Sequence, residues 1–260
     1  MKLFASDFDG TFYFNGKKQE VYLKNISSVK EFQKNHKFAI VTGRDANSIV
    51  NHLSQHNLKL DYIACFNGGL IYDGDMNVLH SNRLKIDFEK LMELLDEQNA
   101  QMVSMCSKGR GFFRQFKENP ENAKFTLGLY KEMNVLPVSH FEELDKENIY
   151  MASVVCDDET HAKEVCRQIN ELGFECSAYV NRRYIDVVGK DASKRKAVEM
   201  IASHASIHDI YTIGDSFNDI SMIESFYGFA VEDANDEVKK VAKQVVLSVN
   251  DAISLLNQHE

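Results

Sequence analysis

Six short apolar runs, at residues 3–5, 38–41, 62–66, 210–213, 227–230 and 245–247, alternate along the chain with stretches of helical periodicity at 21–35, 46–55, 194–202 and 217–224. Strands separated by helices are joined by crossovers rather than tight turns, which builds a parallel sheet with helices on both faces, a Rossmann-like α/β fold. In such sheets chemistry gathers beyond the carboxyl ends of the strands, so the residues after each run matter most. The middle of the chain breaks the pattern. Residues 70–72 and 78–80 flank Asp73-Gly74 and predict a hairpin. Beyond it the spacing predicts a helix over 88–98, strands over 102–105, 150–156, 175–178 and 184–188, and a helix over 161–172, an α+β order. The expected organisation is a core domain of residues 1–81 and 189–260 with an inserted domain of residues 82–188. A length of 260 residues suits two domains and allows each a core.

The residues at the strand ends carry chemistry. Asp7-Phe8-Asp9-Gly10-Thr11 follows the first run. In an extended segment Asp7 and Asp9 lie on the same side, so both can converge on one substrate atom. One carboxylate can attack phosphorus while the other, protonated, delivers a proton to the leaving oxygen. Two close carboxylates repel unless a cation or proton intervenes, which calls for a hard divalent metal such as magnesium. A polar turn after an edge strand is the alternative reading of Asp-Gly. After the second run come Thr42, Gly43 and Arg44, where a hydroxyl and the free amides of a helix start suit a phosphate oxygen; a helix cap would look the same. Gly214-Asp215-Ser216-Phe217-Asn218-Asp219 follows the fourth run. Asp215 and Asp219, four apart, stack on one face if the segment is helical, with Asn218 beside them, although acidic residues also suit a solvated helix start. Lys194 opens a helical segment and is the cation at hand to offset a phosphate and these aspartates, or else ordinary surface.

Asp7-Phe8-Asp9-Gly10-Thr11, Thr42-Gly43-Arg44, Ser193-Lys194 and Gly214 to Asp219 resemble, in order and spacing, the four motifs of the haloacid dehalogenase-like phosphatases. The likeness is nearest to the Cof-type branch with an α/β (type IIB) cap, and it extends to Asn67-Gly68-Gly69. It implies Asp7 as nucleophile, Asp9 as general acid and base, and Thr42, Gly43, Lys194 and Asn218 as phosphate-binding residues. It also implies Asp7, Asp215 and the Asp9 main-chain carbonyl as magnesium ligands, with Asp219 orienting Lys194 or the metal's waters. Arg195, where relatives often carry glycine, and Val231-Glu232-Asp233-Ala234, in place of a Met-Gly-Asn-Ala pattern, depart from the family without touching those residues. A cap would close over the site and exclude water. It favours small phosphorylated metabolites such as sugar phosphates, met by Lys108, Arg110, Arg114, Arg182 and Arg183; Phe112, Phe113 and Phe116 suit the cap's own core. A phosphomutase on the same scaffold, or a non-catalytic sensor of a phosphorylated metabolite, is the alternative.

A formal charge of −9 argues against a nucleic-acid partner. Five cysteines without a C-x-x-C pair read as reduced thiols of a cytoplasmic protein. Asp7 and Asp9 interrupt the opening run too early for a signal peptide, and no run approaches the ~20 apolar residues of a membrane span. The expected partner is a small phosphate ester; the sequence leaves the oligomeric state open.

Overall fold

The computed structural model describes residues 1–14 and 16–257. In chain order the elements are β1 (Lys2–Ser6), α1 (Gln19–Phe32), β2 (Lys37–Val41), α2 (Ala46–Ser54), β3 (Tyr62–Cys65), β4 (Leu70–Asp73) and β5 (Val78–Ser81). Then come α3 (Phe88–Glu97), β6 (Met102–Ser107), β7 (Arg110–Gln115), α4 (Pro120–Glu132), β8 (Leu136–Val138), β9 (Met151–Val155), α5 (Glu159–Glu171), β10 (Cys176–Asn181) and β11 (Tyr184–Gly189). The chain ends with α6 (Lys194–Ala205), β12 (Asp209–Gly214), α7 (Ile220–Ser225), β13 (Tyr227–Val231), α8 (Asp236–Val241), β14 (Gln244–Val246) and α9 (Val249–Asn257). They form two compact units, residues 1–80 with 193 onward, and Ser81–Ala192.

The first unit carries a sheet of order β14-β13-β12-β1-β2-β3-β4-β5. The six strands from β14 to β3 are parallel, and β4 turns antiparallel to β3. Central β1 is covered on both faces, which is why it reads as an unbroken apolar run. Phe4 meets the rings of Phe32, Phe38 and Phe229 edge-on, each such pair contributing about 0.5–1.5 kcal/mol beyond burial. Among the described residues no helix is long and apolar enough to cross a membrane.

The second unit is α+β, a sheet of order β10-β11-β9-β6-β7-β8. Its core includes Leu91, Val103, Ile149, Val154, Val165 and Ile185. Two of its strands and one helix went unread in the sequence. Strand β7 pairs with β6 through a two-residue turn, Lys108-Gly109, both at positive φ, the geometry that matches strand twist. Helix α4 begins with Pro120 just inside the Asn119 cap. The unit ends at Ala192 rather than 188 because the turn after β11 stays tied to it: Asp191 N donates to Ser177 Oγ (3.2 Å), Asn82 Nδ2 to Lys190 O (2.8 Å), and Tyr179 Oη to Ala192 O (3.0 Å).

Of the cationic groups singled out here, Lys108 pairs with Asp145, Arg110 with Glu143 and Arg114 with Asp96. Arg183 donates to Asn122 Oδ1 (3.1 Å) and lies over the Tyr184 ring. Arg182 is exposed at a left-handed turn position, φ 56°. Phe112 is buried in the unit's core and Phe116 packs against it; Phe113 lies near Tyr130.

Candidate active site

Parallel pairing brings distant parts of the chain to one edge of the sheet. Ser6, the last residue of β1, stands opposite Ile213 of β12 and Ile40 of β2. The next residue, Asp7, donates its backbone N–H to Ile213 O at 3.0 Å. Asp7, Thr42 and Asp215 therefore all lie beyond the carboxyl ends of neighbouring strands.

At that edge Lys194, the first residue of α6, is buried to 2 % exposure. Its Nζ donates to Asp7 Oδ1 at 2.6 Å and to Asp219 Oδ1 at 2.7 Å. Asp219 is fully buried, and its Oδ2 accepts the backbone N–H groups of Asp215 (3.0 Å) and Ser216 (2.9 Å). The approach requires Gly214: a β-carbon there would lie 2.4 Å from Asp219 Cγ. Asp215 accepts from Thr11 Oγ1 at 3.2 Å and Ser216 Oγ at 3.0 Å. Asp215 and Asp219 thus converge because residues 217–219 form a tight 3₁₀ turn that folds Asp219 back onto the chain ahead of it, not through stacking along an α-helix.

Three buried carboxylates share one ammonium. Burial pushes the Asp7 carboxyl well above the ordinary range; Lys194 pulls it back, and Asp219 and Asp215 push it up again. Asp215 is raised in the same way, by burial first and then by Asp219. Burial alone would lower the Lys194 ammonium, but Asp219 and Asp7 outweigh it and raise it, so lysine stays charged. Oxygens of Asp7, Asp215 and Asp219 lie within 4.8 Å of one another. Both Asp219 oxygens already accept hydrogen bonds, which leaves Asp7 and Asp215 as the hard oxygen donors that fit a divalent cation. Adding one to the metal-free protein is expected to release protons, because a cation favours the ionised form of the raised carboxyls. The sign for stability follows: with folded values above the unfolded 3.8, these groups stabilise the metal-free protein below that value. The benefit is lost as pH rises through the raised values. Calorimetry in buffers of unlike ionisation enthalpy, repeated over a pH series, measures the release, and a proton count of zero at every pH from acidic to neutral would refute the assignment.

Asp9 is held by an arginine from the turn after β2. Its Oδ2 accepts from Arg44 Nε (2.7 Å) and its Oδ1 from Arg44 Nη2 (2.8 Å), a two-pronged grip. Arg44 Nη1 also reaches Ser48 Oγ at 3.0 Å and His52 Nε2 at 3.3 Å. The strand ends at Ser6, so Asp7 and Asp9 both belong to the turn that follows it. The Asp9 carboxylate is outside the group of three aspartates.

Thr42 is buried, and its Oγ1 accepts from Arg44 N at 3.1 Å. The helix-start amides anticipated for phosphate are taken: α2 begins at Ala46, and Asp45 Oδ1 caps the amides of Asn47 (2.7 Å) and Ser48 (3.1 Å). Thr42 and Gly43 belong to the turn before that cap. Asn218 Nδ2 donates to Asn67 Oδ1 at 3.3 Å, and a β-carbon on Gly43 would lie 3.6 Å from the same oxygen. Thr11 and Ser216 stood inside recognised motifs without an assigned task. The Arg44 grip had no local sign, since its partner is 35 residues away.

A family model described as haloacid dehalogenase-like hydrolase matches residues 4–255. An uncharacterised protein of Mycoplasma capricolum is 28 % identical over 238 residues, which are 87 % of this chain and 88 % of that one. The 5-amino-6-(5-phospho-D-ribitylamino)uracil phosphatase YcsE of Bacillus subtilis is 24 % identical over 100 % of this chain and 95 % of its own. Among solved structures, a HAD subclass IIB sugar phosphatase superposes with a TM-score of 0.79 at 24 % identity, covering 100 % of this chain and 98 % of that one.

Proposed function

We propose that this chain, which belongs to the haloacid dehalogenase-like hydrolases, is a magnesium-dependent phosphatase of small phosphorylated metabolites, sugar phosphates above all, acting through an aspartyl-phosphate on Asp7. The observation that carries this reading is the buried bridge from Lys194 Nζ to Asp7 Oδ1 (2.6 Å) and Asp219 Oδ1 (2.7 Å), with Asp215 beside it. A lysine bound so tightly to a nucleophile candidate is placed to offset charge on a phosphoryl group arriving at that atom. The name of the Bacillus relative, which acts on a phosphorylated ribityl chain, supports the substrate class.

Asp7 attacks phosphorus in line; the new Oδ–P bond forms as the ester P–O bond breaks, and the leaving oxygen keeps the electron pair. Asp9 supplies the proton to that oxygen. Lys194 steadies the ionised Asp7 and faces the phosphoryl oxygens, while Asp219 fixes the lysine. Thr42, Gly43 and Asn218 hold the phosphoryl group. Magnesium, held when bound by Asp7, Asp215 and the Asp9 main-chain carbonyl, would supply positive charge against the transferring group. In the second half a water attacks phosphorus, Asp9 takes its proton, and the P–Oδ bond breaks to regenerate the Asp7 carboxylate. A reducing compartment is the proposed setting, supported by five free thiols.

The test is phosphate release from a panel of phosphorylated metabolites by the purified protein. Chelation is expected to abolish turnover and magnesium to restore it, with calcium poor because its looser, higher coordination misplaces the nucleophile. An isomeric sugar phosphate without free phosphate would indicate a mutase, and no turnover of any ester would return the sensor reading. A second expectation concerns Asp9→Asn, which keeps the main-chain carbonyl and removes the proton relay. The loss should reach about 10²–10⁴-fold for esters with poor leaving groups and be smaller for an activated aryl phosphate. Equal proportional losses on both substrates would remove Asp9 from the acid role.

A further inference from the structure

Three consecutive residues after β3 lie in the left-handed region: Phe66 (φ 51°), Asn67 (φ 52°) and Gly68 (φ 99°). Non-glycine residues take this conformation at a cost, and such runs persist where the surroundings impose them. Here they do. Phe66 N–H donates to Arg44 O at 3.3 Å, and Asn67 N–H to Thr42 O at 2.9 Å. Gly68 packs so closely on the turn before Lys194 that a β-carbon would lie 2.6 Å from Ser193 O. The Asn67 side chain is buried to 2 % exposure, and its Oδ1 accepts from Asn218 Nδ2 at 3.3 Å while facing Gly43. One turn thus touches the segments carrying Thr42, Lys194 and Asn218.

An asparagine amide can present either its oxygen or its nitrogen to a ligand, and only the nitrogen attracts a phosphoryl oxygen. Asn218 is free to choose unless a neighbour decides, and its Oδ1 is buried without a hydrogen-bond partner among the described residues. We infer that Asn67 is a positioning residue of the phosphoryl pocket: its Oδ1 fixes the Asn218 amide with the nitrogen toward the Thr42–Gly43 turn, leaving the second N–H for a phosphoryl oxygen. The strained backbone places Asn67 Oδ1 there. This inference rests on the phosphatase reading of the same site.

The test is a double-mutant cycle in the full chain. Asn67→Gly suits a left-handed backbone while deleting the side chain, so the melting temperature should stay within a few degrees. Its kcat/KM should fall roughly tenfold or more, with weaker inhibition by inorganic phosphate, the probe of the pocket. Asn218→Ala should cost as much, and adding Asn67→Gly to it should cost little further, because the two act as one unit. In the unaltered protein, inorganic phosphate should shift the side-chain amide NMR signals of both Asn67 and Asn218, a measurement that stands even where a variant does not fold. Multiplying losses in the cycle, unchanged phosphate inhibition in Asn67→Gly, or an Asn67 signal unmoved by phosphate would each overturn the inference. If the unaltered protein releases phosphate from no ester, the phosphatase reading fails first; if it turns over and Asn67→Gly matches it, only the role of Asn67 falls.

Discussion

Asp7→Asn is expected to reduce turnover by on the order of 10⁴-fold or more, because the amide removes the nucleophile on which both half-reactions depend. The fold should survive and become somewhat more stable. Asparagine matches aspartate in volume, and one of three buried carboxylates crowding a single ammonium disappears. Burial already holds the Asp7 carboxyl well above the ordinary range, so in the metal-free protein its replacement by a neutral amide lifts a penalty that grows with pH. The measurements are steady-state kinetics with magnesium beside thermal unfolding of metal-free samples at acidic and neutral pH. Activity within tenfold of the unaltered protein would remove Asp7 from the nucleophile's role. A large loss of stability would show that the variant reports folding instead.

Lys194→Met carries the largest expected cost in stability. The methionine fills much of the same buried volume but leaves Asp7 and Asp219 without the ammonium that each contacts at 2.6 and 2.7 Å. Removing one partner of a buried ion pair typically costs about 3–5 kcal/mol, because the remaining charge is left desolvated. The cost should be smaller at mildly acidic pH, where the raised Asp7 carboxyl takes up its proton, and larger at neutral pH; a divalent cation should recover part of it. Activity should be lost at every pH. Denaturant unfolding at two pH values, with and without magnesium, checks the argument. A cost independent of both pH and cation would mean that Lys194 acts through packing alone.

The sheet was legible because β1, β2 and β3 are buried on both faces, so their apolar runs are nearly unbroken and end where the polar residues of the site begin. Strand β7 was not legible: Arg110, Arg114 and Gln115 dilute its apolar signal, and pairing with β6 decides its conformation. Helix α4 buries few side chains and carries a weak pattern, but Asn119-Pro120 was a start signal open to reading. Within the site, local spacing reached Asp7, Lys194, Asp215 and Asp219 as chemical groups but not their arrangement. Asp219 reaches Asp215 through a turn whose shape depends on Gly214, and Asp9 is gripped by an arginine that no local pattern pairs with it. Asp45 was the more readable omission, an aspartate just before a helix and the ordinary cap for one.

The central position of β1 has a consequence for how the protein is made. One of its edges pairs with β2, synthesised soon after it, but the other waits for β12 at residues 209–214. At a synthesis rate of roughly 5–20 residues per second the ribosome needs about 10–40 s to reach β12. Throughout that interval Leu3 and Phe4 lie on an open strand edge, and Asp7 has no ammonium until Lys194, 187 residues later, emerges. The nascent chain therefore passes through a half-built sheet with its stickiest strand at the rim, and the insertion between residues 81 and 192 lengthens that exposure by its own time of synthesis.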